Sequence, residues 1–528
     1  MQKESLINQV KNIRNHEELQ EIIKDLRVVS ANEKSETVLE IIRRAVKWGK
    51  KLDHKISIVN LYELEIKQLF HKKISIKRIK FLLTEMFRIS EEINYSDGLI
   101  LAHSIKWGIL KLEGRIKEST NALRKVESLL SNTEQKDEYV YYMCKYSLAF
   151  EDWMLNHNSE VANDFEKCNE FFFKEGFYRS LAQTYSFLSV IYTRKQEGKK
   201  ALDMGNQILA NRSLFENLPH DVQGIIYYFT GLGHMLEANL VISESYFNEA
   251  YTVLKRIYKD SIYFSNFIIL HSYLATVKGL QGKTNQAYSS IKEAKIILQS
   301  EFIKKNLDEN SEKQIVHTLN LVDFYNISRL GNYTLHEHQV LIGEIIENCK
   351  DLYSDFMTLS EFILSANLGS DKLQLLLAID NFSINRVKHL IEFMLEKQKL
   401  DTEISKEQRS LNCISILKNR EVTTKTTFME HAYVDLLVAQ QLFSLKRYAE
   451  ISPLLKKYEN RLKQIEVLEM RIFMETFIQV GAFKSGDPLG PALQYMAIKK
   501  CRIYGFSRLE NKLLNYLQLQ YKEIKRTV

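Results

Sequence analysis

The chain has 528 residues, of which 45% are hydrophobic and 26% charged, and its 73 basic and 66 acidic residues give a formal net charge of +7. The length exceeds what one hydrophobic core supports, so the chain holds several domains or one elongated array, and the composition excludes a largely disordered protein. A positive balance this weak serves solubility and is poor support for a nucleic-acid partner.

The five cysteines lie far apart and form no CxxC pair. An odd number of dispersed cysteines in a large chain is typical of a reducing compartment with free, buried thiols. The first twenty residues lack the apolar stretch of a secretory signal, and no run approaches 18 apolar residues. We therefore expect a cytoplasmic protein without a membrane partner.

Apolar residues recur at steps of three and four through much of the chain, which is the pattern of amphipathic helices. The first predicted helices are Glu36–Leu52, Ile56–Phe70, Ile76–Ile93, Gly98–Leu112 and Ile116–Leu130. Strand-like alternation is almost absent, and only four prolines interrupt the helical pattern. The sequence predicts an all-α fold.

Glycine and asparagine mark the predicted turns between paired helices, because both tolerate the left-handed conformation that ends a helix. These residues are Gly114, Asn156, Asn239, Gly282 and Gly331. The polar, aperiodic run Lys304–Glu312 predicts a longer loop.

A short signature recurs along the chain: a small residue on one helix, a turn, and a ladder of small and large residues on the next helix. Its second helices begin near Ser119, Val161, Ala201, Ser243 and Ala287, at spacings of 42, 40, 42 and 44 residues. A period of this length indicates stacked helical hairpins, since one hairpin cannot bury its own apolar face.

The regularity of this signature divides the chain into three predicted regions. Residues 96–300 carry clear repeats, and residues 301–528 carry degenerate helical repeats. Residues 1–95 form helical pairs without a clean signature, as either an N-terminal helical bundle or further degenerate repeats.

The spacing of small residues resembles the tetratricopeptide-repeat superfamily. Its eighth position is matched by Ala149, Ser189, Gly231 and Ala275. Its twentieth position is matched by Ala201, Ser243 and Ala287, and its twenty-seventh by Ala250 and Ala294. The resemblance implies a right-handed superhelical solenoid of antiparallel helical hairpins. Trp107 and Val161 depart from it, standing where small residues are expected, and the units exceed the usual length of about 34 residues. Long, irregular repeats of this kind resemble the sensor arms of bacterial signalling ATPases and regulators.

Such solenoids bind partners on the concave surface formed by the first helix of each hairpin. Counting from the small residues predicts a partner groove with these members: Tyr146, Phe150, Trp153, Phe187, Arg194, Tyr228, Phe229, Tyr273 and Thr276. Aromatic residues with an arginine suit a peptide that carries an acidic group or a terminal carboxylate. Packing as ordinary core between long helices is an equally favoured interpretation of each one.

Two patterns imitate catalytic or metal sites. The run from Gly279 to Thr284 reads G-x-x-G-K-T, but a phosphate-binding loop needs four residues between its glycines and a preceding strand. His336 and His338 are two residues apart, which places them on different faces of a helix, and His234 with Glu237 lacks further ligands. We expect no catalytic residue, no cofactor and no metal.

The sequence therefore favours a non-catalytic scaffold or regulator that binds another protein or a peptide in the groove. One alternative is a sensor switched by a ligand or peptide, which controls an output partner in bacterial signalling, transcription regulation or defence. Another is a nucleic-acid binder that uses the basic run from Lys67 to Lys80, although nucleic acid is the less favoured partner. The oligomeric state is left open.

Overall fold

The structure is a computed structural model, and the part that it describes contains helices joined by turns, without β-strands. It describes residues 2–33, 35–71, 76–133, 137–156, 159–195, 198–216, 218–237, 239–259, 264–330, 335–352, 354, 356–366, 368–399, 404–420, 428–459, 467–484, 490–504, 506, 509–511 and 513–514.

The described residues form 27 α-helices and one 3₁₀ turn, Ser159–Val161. The first fourteen are α1 (Gln2–Gln9), α2 (His16–Asn32), α3 (Glu36–Lys51), α4 (Lys55–His71), α5 (Ile76–Glu92), α6 (Ser96–Leu112), α7 (Ile116–Asn132), α8 (Glu138–Asn156), α9 (Ala162–Glu175), α10 (Tyr178–Lys195), α11 (Gly198–Ala210), α12 (Arg212–Glu216), α13 (His220–Leu236) and α14 (Leu240–Ile257). The others are α15 (Phe264–Leu280), α16 (Thr284–Leu298), α17 (Glu301–Asn306), α18 (Glu309–Leu330), α19 (Leu335–Asn348), α20 (Phe356–Ser365), α21 (Ser370–Leu377), α22 (Phe382–Gln398), α23 (Lys406–Lys418), α24 (Phe428–Ser444), α25 (Tyr448–Glu459), α26 (Leu468–Lys484) and α27 (Gly490–Ile503).

The contacts between helices divide the chain into two units. Unit 1 comprises Met1–Ile191 and Asn217–Val222, and unit 2 comprises Tyr192–Glu216 and Gln223–Val528. The domain boundaries predicted near residues 95 and 300 stay a prediction.

Each unit is built from hairpins of sequential helices. In unit 1, α2, α4, α6 and α8 pack against one another as an inner row, and α3, α5 and α7 pack outside them. In unit 2, α15, α18 and α20 form a comparable row, with α14, α16 and α19 outside. The predicted fold class is confirmed to the extent that each unit is an all-α array of sequential helical hairpins.

Short polar residues and glycine set the helix ends. Asn15 and Ser35 accept backbone hydrogen bonds at the starts of α2 and α3. Gly114 and Gly282 have φ values of 72° and 84°, so their predicted role in left-handed turns is confirmed. Asn239 instead precedes α14 with a φ of −83°, so its interpretation as a helix end in the left-handed conformation is wrong.

Two further turn predictions have different outcomes. The loop predicted between Lys304 and Glu312 is wrong, because α17 continues to Asn306 and α18 begins at Glu309. Polar residues are tolerated there because they lie on helix faces that water reaches. Gly331 lies outside the described residues.

The predicted small residues lie where helices approach closely. Ala275, Ala287, Ile291 and Val322 form one buried cluster of unit 2. The hydroxyl of Ser243 donates to the carbonyl of Gly231 across 2.7 Å, which joins the two helices of a hairpin. A larger side chain at such contacts would overpack them.

Candidate functional site

Three aromatic side chains of unit 1, on α6, α8 and α10, form a continuous row. Trp107 on α6 meets Phe150 on α8 edge-to-face, with ring centroids 6.3 Å apart. Phe150 meets Phe187 on α10 at 5.4 Å in the same arrangement. All three residues are half-buried. We call Trp107, Phe150 and Phe187 the aromatic row.

Tyr146 adds a polar edge to this row. Its ring lies 6.3 Å from that of Phe150, and its hydroxyl donates to Oε1 of Gln183 on α10 across 3.4 Å. Burial raises the pKa of the Tyr146 hydroxyl, which therefore stays protonated and acts as a hydrogen-bond donor.

Lys111, on the same helix as Trp107, lies beside the first two rings of the row. The Lys111 ammonium lies 5.4 Å from the Trp107 ring centroid and 5.0 Å from that of Phe150. It also forms an ion pair with Glu151 on α8, whose side chain is buried. Two rings and one carboxylate thus surround one cation, an arrangement favoured by the negative face of each ring. We call Trp107, Phe150 and Glu151 the cation cage.

Two other predicted groove residues, Trp153 and Arg194, add no member to the row. Trp153 is 5% exposed and is packed in the interior of unit 1. Arg194 belongs to α10, but its side chain lies outside the described residues. The expected role of the predicted groove residues in partner binding stays a prediction.

In unit 2 the predicted groove residues are packed together, and all but Tyr273 are buried. Tyr228, Phe229 and Thr276 are each at most 3% exposed, and Tyr273 is half-buried. The Tyr228 ring lies 4.7 Å from Phe229 and 5.9 Å from Tyr273, and Tyr273 stacks on Phe247 at 5.9 Å. The Thr276 hydroxyl donates to the carbonyl of Ser272 on its own helix. These side chains fill the space between α13, α14 and α15.

A network of charged groups links non-neighbouring inner helices of unit 1. The Tyr139 hydroxyl on α8 donates to the buried carboxylate of Glu63 on α4 across 2.9 Å, and Lys67 donates to that hydroxyl at the same distance. Arg27 on α2 lies 4.2 Å above the Tyr139 ring and binds Asp137 across 2.8 Å. Burial opposes the charge of Lys67, but Glu63 and Tyr139 hold its pKa above the ordinary value.

Unit 2 contains a related link between its inner helices. The Tyr433 hydroxyl on α24 donates to Glu361 on α20, and burial with that carboxylate raises the pKa of Tyr433 well above its ordinary value. Arg386 on α22 binds Glu430 across 2.5 Å and lies 5.3 Å from the ring centroid of Phe356. In both units a tyrosine–glutamate bond joins helices that are two hairpins apart.

The basic run is largely neutralised where the structure describes it. Lys67 pairs with Glu63, Arg78 with Glu65 across 3.2 Å, and Lys80 with Glu113 across 2.6 Å. Lys72 and Lys73 lie outside the described residues. Paired cations attract phosphates less strongly than free ones, which weakens the nucleic-acid alternative.

The remaining motifs have ordinary surroundings. The G-x-x-G-K-T run is the turn between α15 and α16, and Lys283 binds Glu244 across 2.6 Å. The His234 ring stacks on Tyr246 at 5.4 Å, and the side chains of His336 and His338 lie outside the described residues.

The described part of the chain shows neither a metal-binding cluster nor a membrane-spanning helix. Within the described residues, no group of three His, Cys, Asp or Glu residues is placed to hold a metal ion. The described helices include none with the length and apolarity needed to span a membrane.

Sequence reasoning missed three residues of this surface: Trp107, Lys111 and Glu151. Trp107 carried a signal, since it stands at a position where the repeat pattern expects a small residue. Lys111 and Glu151 carried none, because their pairing depends on the separation of α6 and α8.

No protein-family model matches the sequence, and no curated protein matches it. Among solved structures, the apo form of the quorum sensor NprR from B. thuringiensis is similar, with 14% sequence identity over 84% of this chain and 98% of that chain and a TM-score of 0.34. Since a score of this size reflects large differences in three dimensions, the residues of this chain are interpreted from their own contacts.

Proposed function

We propose that the protein is a non-catalytic regulator or scaffold that binds a peptide segment of another protein on the aromatic row of unit 1. The observation that carries this proposal is the row itself: three half-buried aromatic residues on α6, α8 and α10 whose rings are in contact. Aromatic side chains supply much of the binding energy in protein interfaces when they lie near polar groups that fix orientation. Lys111, Tyr146 and Gln183 provide such groups at this surface.

Affinity purification from the native cell with quantitative mass spectrometry tests the proposal. We expect Phe187→Ala to reduce recovery of at least one partner about tenfold, which corresponds to about 1.4 kcal/mol of binding free energy. Phe81→Ala is the matched control, because Phe81 lies on the outer helix α5 and is 53% exposed. Equal recovery of every partner by the wild type and Phe187→Ala, at unchanged melting temperature, would contradict the proposal.

The second candidate function is a ligand-switched sensor, which the contacts of α2 favour. Asn32 at the end of α2 donates to the Gly176 carbonyl across 2.6 Å, and its own carbonyl accepts from Arg179 Nε at the same distance. Polar contacts between residues more than 140 positions apart are the kind that ligand binding can exchange for others. Hydrogen exchange of residues 16–32 with and without a bound partner peptide tests this function. Unchanged protection of α2 would argue against it.

A further inference from the structure

The cation cage of unit 1 already shows which chemical group it accepts. The Lys111 ammonium lies within about 6 Å of two ring centroids, the range in which cation–π attraction is significant, and its charge is paired with Glu151. The cage thus combines the two interactions that recognise a lysine or arginine side chain.

The present occupant can be replaced at small cost. The Lys111 side chain is about one-third exposed and lies in the last turn of α6, so its flexible stem can place the ammonium in water. Glu151 is more confined by contrast, since it is only 5% exposed. An incoming cation would exchange one ion pair for another.

The helix ends beside the cage favour a basic partner. The cage lies near the C-terminal ends of α6 and α8, where the helix dipoles add negative potential.

An acidic ligand is disfavoured by the same geometry. It would have to take Lys111 away from Glu151 and leave that carboxylate buried without a partner, or approach a lysine whose charge is already neutralised. A basic ligand meets neither cost.

We propose that the cation cage formed by Trp107, Phe150 and Glu151 binds a lysine or arginine side chain of a basic partner peptide, which displaces Lys111. This proposal rests on the proposed function, because the cage is the α6 end of the aromatic row. Lys111 then acts as an internal competitor that a basic peptide must outbind.

A random heptapeptide library displayed on phage and selected on the immobilised full chain tests this proposal. We expect lysine or arginine to be enriched at one peptide position on the wild type. Glu151→Gln should abolish this enrichment, and Lys111→Met should increase it, because the competing ammonium is gone while the carboxylate remains.

Synthetic peptides from the wild-type selection then give affinities by fluorescence anisotropy. Replacing the selected lysine by norleucine, or using Glu151→Gln, should weaken binding about tenfold, the scale of one partly buried ion pair. Lys111→Met should tighten it. The double variant Lys111→Met with Glu151→Gln leaves no buried unpaired charge, and it should bind the lysine and norleucine peptides equally.

The outcomes separate this proposal from the proposed function. Enrichment of acidic or uncharged peptides whose binding is lost in Phe187→Ala would overturn the cation proposal and leave the aromatic row as the binding surface. Selected peptides that bind Phe187→Ala as well as the wild type would overturn both. A basic preference that Lys111→Met weakens would also refute the displacement of Lys111.

Discussion

The hairpins that begin with α6 and α13 have the same internal hydrogen bond but differ in how deeply their inner aromatic residues are buried. Ser119 donates to the carbonyl of Trp107 across 3.2 Å, and Ser243 donates to that of Gly231 across 2.7 Å; each pair is twelve residues apart. Trp107 in unit 1 and Gly231 in unit 2 therefore occupy equivalent positions.

The size of that residue decides what the neighbouring aromatic rings do. At Gly231 the absence of a side chain lets the Phe247 ring approach the backbone of α13, and Phe247 is fully buried. At Trp107 the indole extends to the next inner helix and meets Phe150. A small residue thus accompanies a fully buried ring in unit 2 at this hairpin, while a large one belongs to a row of half-buried aromatic residues in unit 1.

The largest predicted difference between the units is the cost of removing an inner phenylalanine. Phe229→Ala should lower the free energy of unfolding by about 3–5 kcal/mol, because it empties a fully enclosed site. Phe150→Ala should cost less than half as much, since Phe150 is only half-buried. Urea unfolding of both variants followed by circular dichroism measures the difference. Equal costs would show that Phe150 is as much a core residue as Phe229.

Acid should weaken unit 2 through its buried histidines. Burial lowers the pKa of His317 to about 4, and its Nε2 lies 2.8 Å from the Ser354 hydroxyl. Because the unfolded pKa is about 6.5, between these values the unfolded chain binds a proton that the folded chain does not. The contribution of His317 to the free energy of unfolding is therefore fully present above about pH 6.5 and falls as the pH drops towards 4. Below pH 4 the loss levels off at about 3 kcal/mol for this group.

The variant His317→Gln isolates this contribution. Its unfolding free energy, measured in urea at pH 7 and at pH 4.5, should fall less between the two than that of the wild type. Burial also lowers the pKa values of His271 and His389 to about 4, so part of the pH dependence should persist in the variant. A pH dependence identical to that of the wild type would mean that His317 is protonated in the folded protein or exposed to water.

The sequence predicted the helical hairpins well because their signal is local. Ala275 and Ala287 had to be small for two helices to touch, and the period of their pattern follows from the geometry of one hairpin. The exposure of individual aromatic residues was harder to predict from the sequence, since Phe150 and Phe229 stand beside comparable small residues. Their exposure depends on the side chain that the next helix brings to them.

Contacts between distant hairpins could not be predicted at all from the sequence. Tyr139 with Glu63, and Tyr433 with Glu361, are more than 70 residues apart and follow from how successive inner helices are arranged. The cation cage has the same origin, because Lys111 and Glu151 belong to different hairpins.

The smallest predicted effect compares Gly231 on α13 with Gly108 on α6. A Cβ atom at Gly231 would lie 2.7 Å from Phe247, whose ring is held on all sides, so Gly231→Ala should destabilise the protein by about 1–3 kcal/mol. Gly108, beside Trp107 on α6, has no atom within 4 Å of the same added group. Gly108→Ala should therefore stabilise the protein by about 0.5–1 kcal/mol through helix propensity alone. Changes of opposite sign in the unfolding free energy for the same substitution would confirm that close packing at Gly231, rather than its repeat position, closes the inner surface of unit 2. A stabilising Gly231→Ala would refute this explanation.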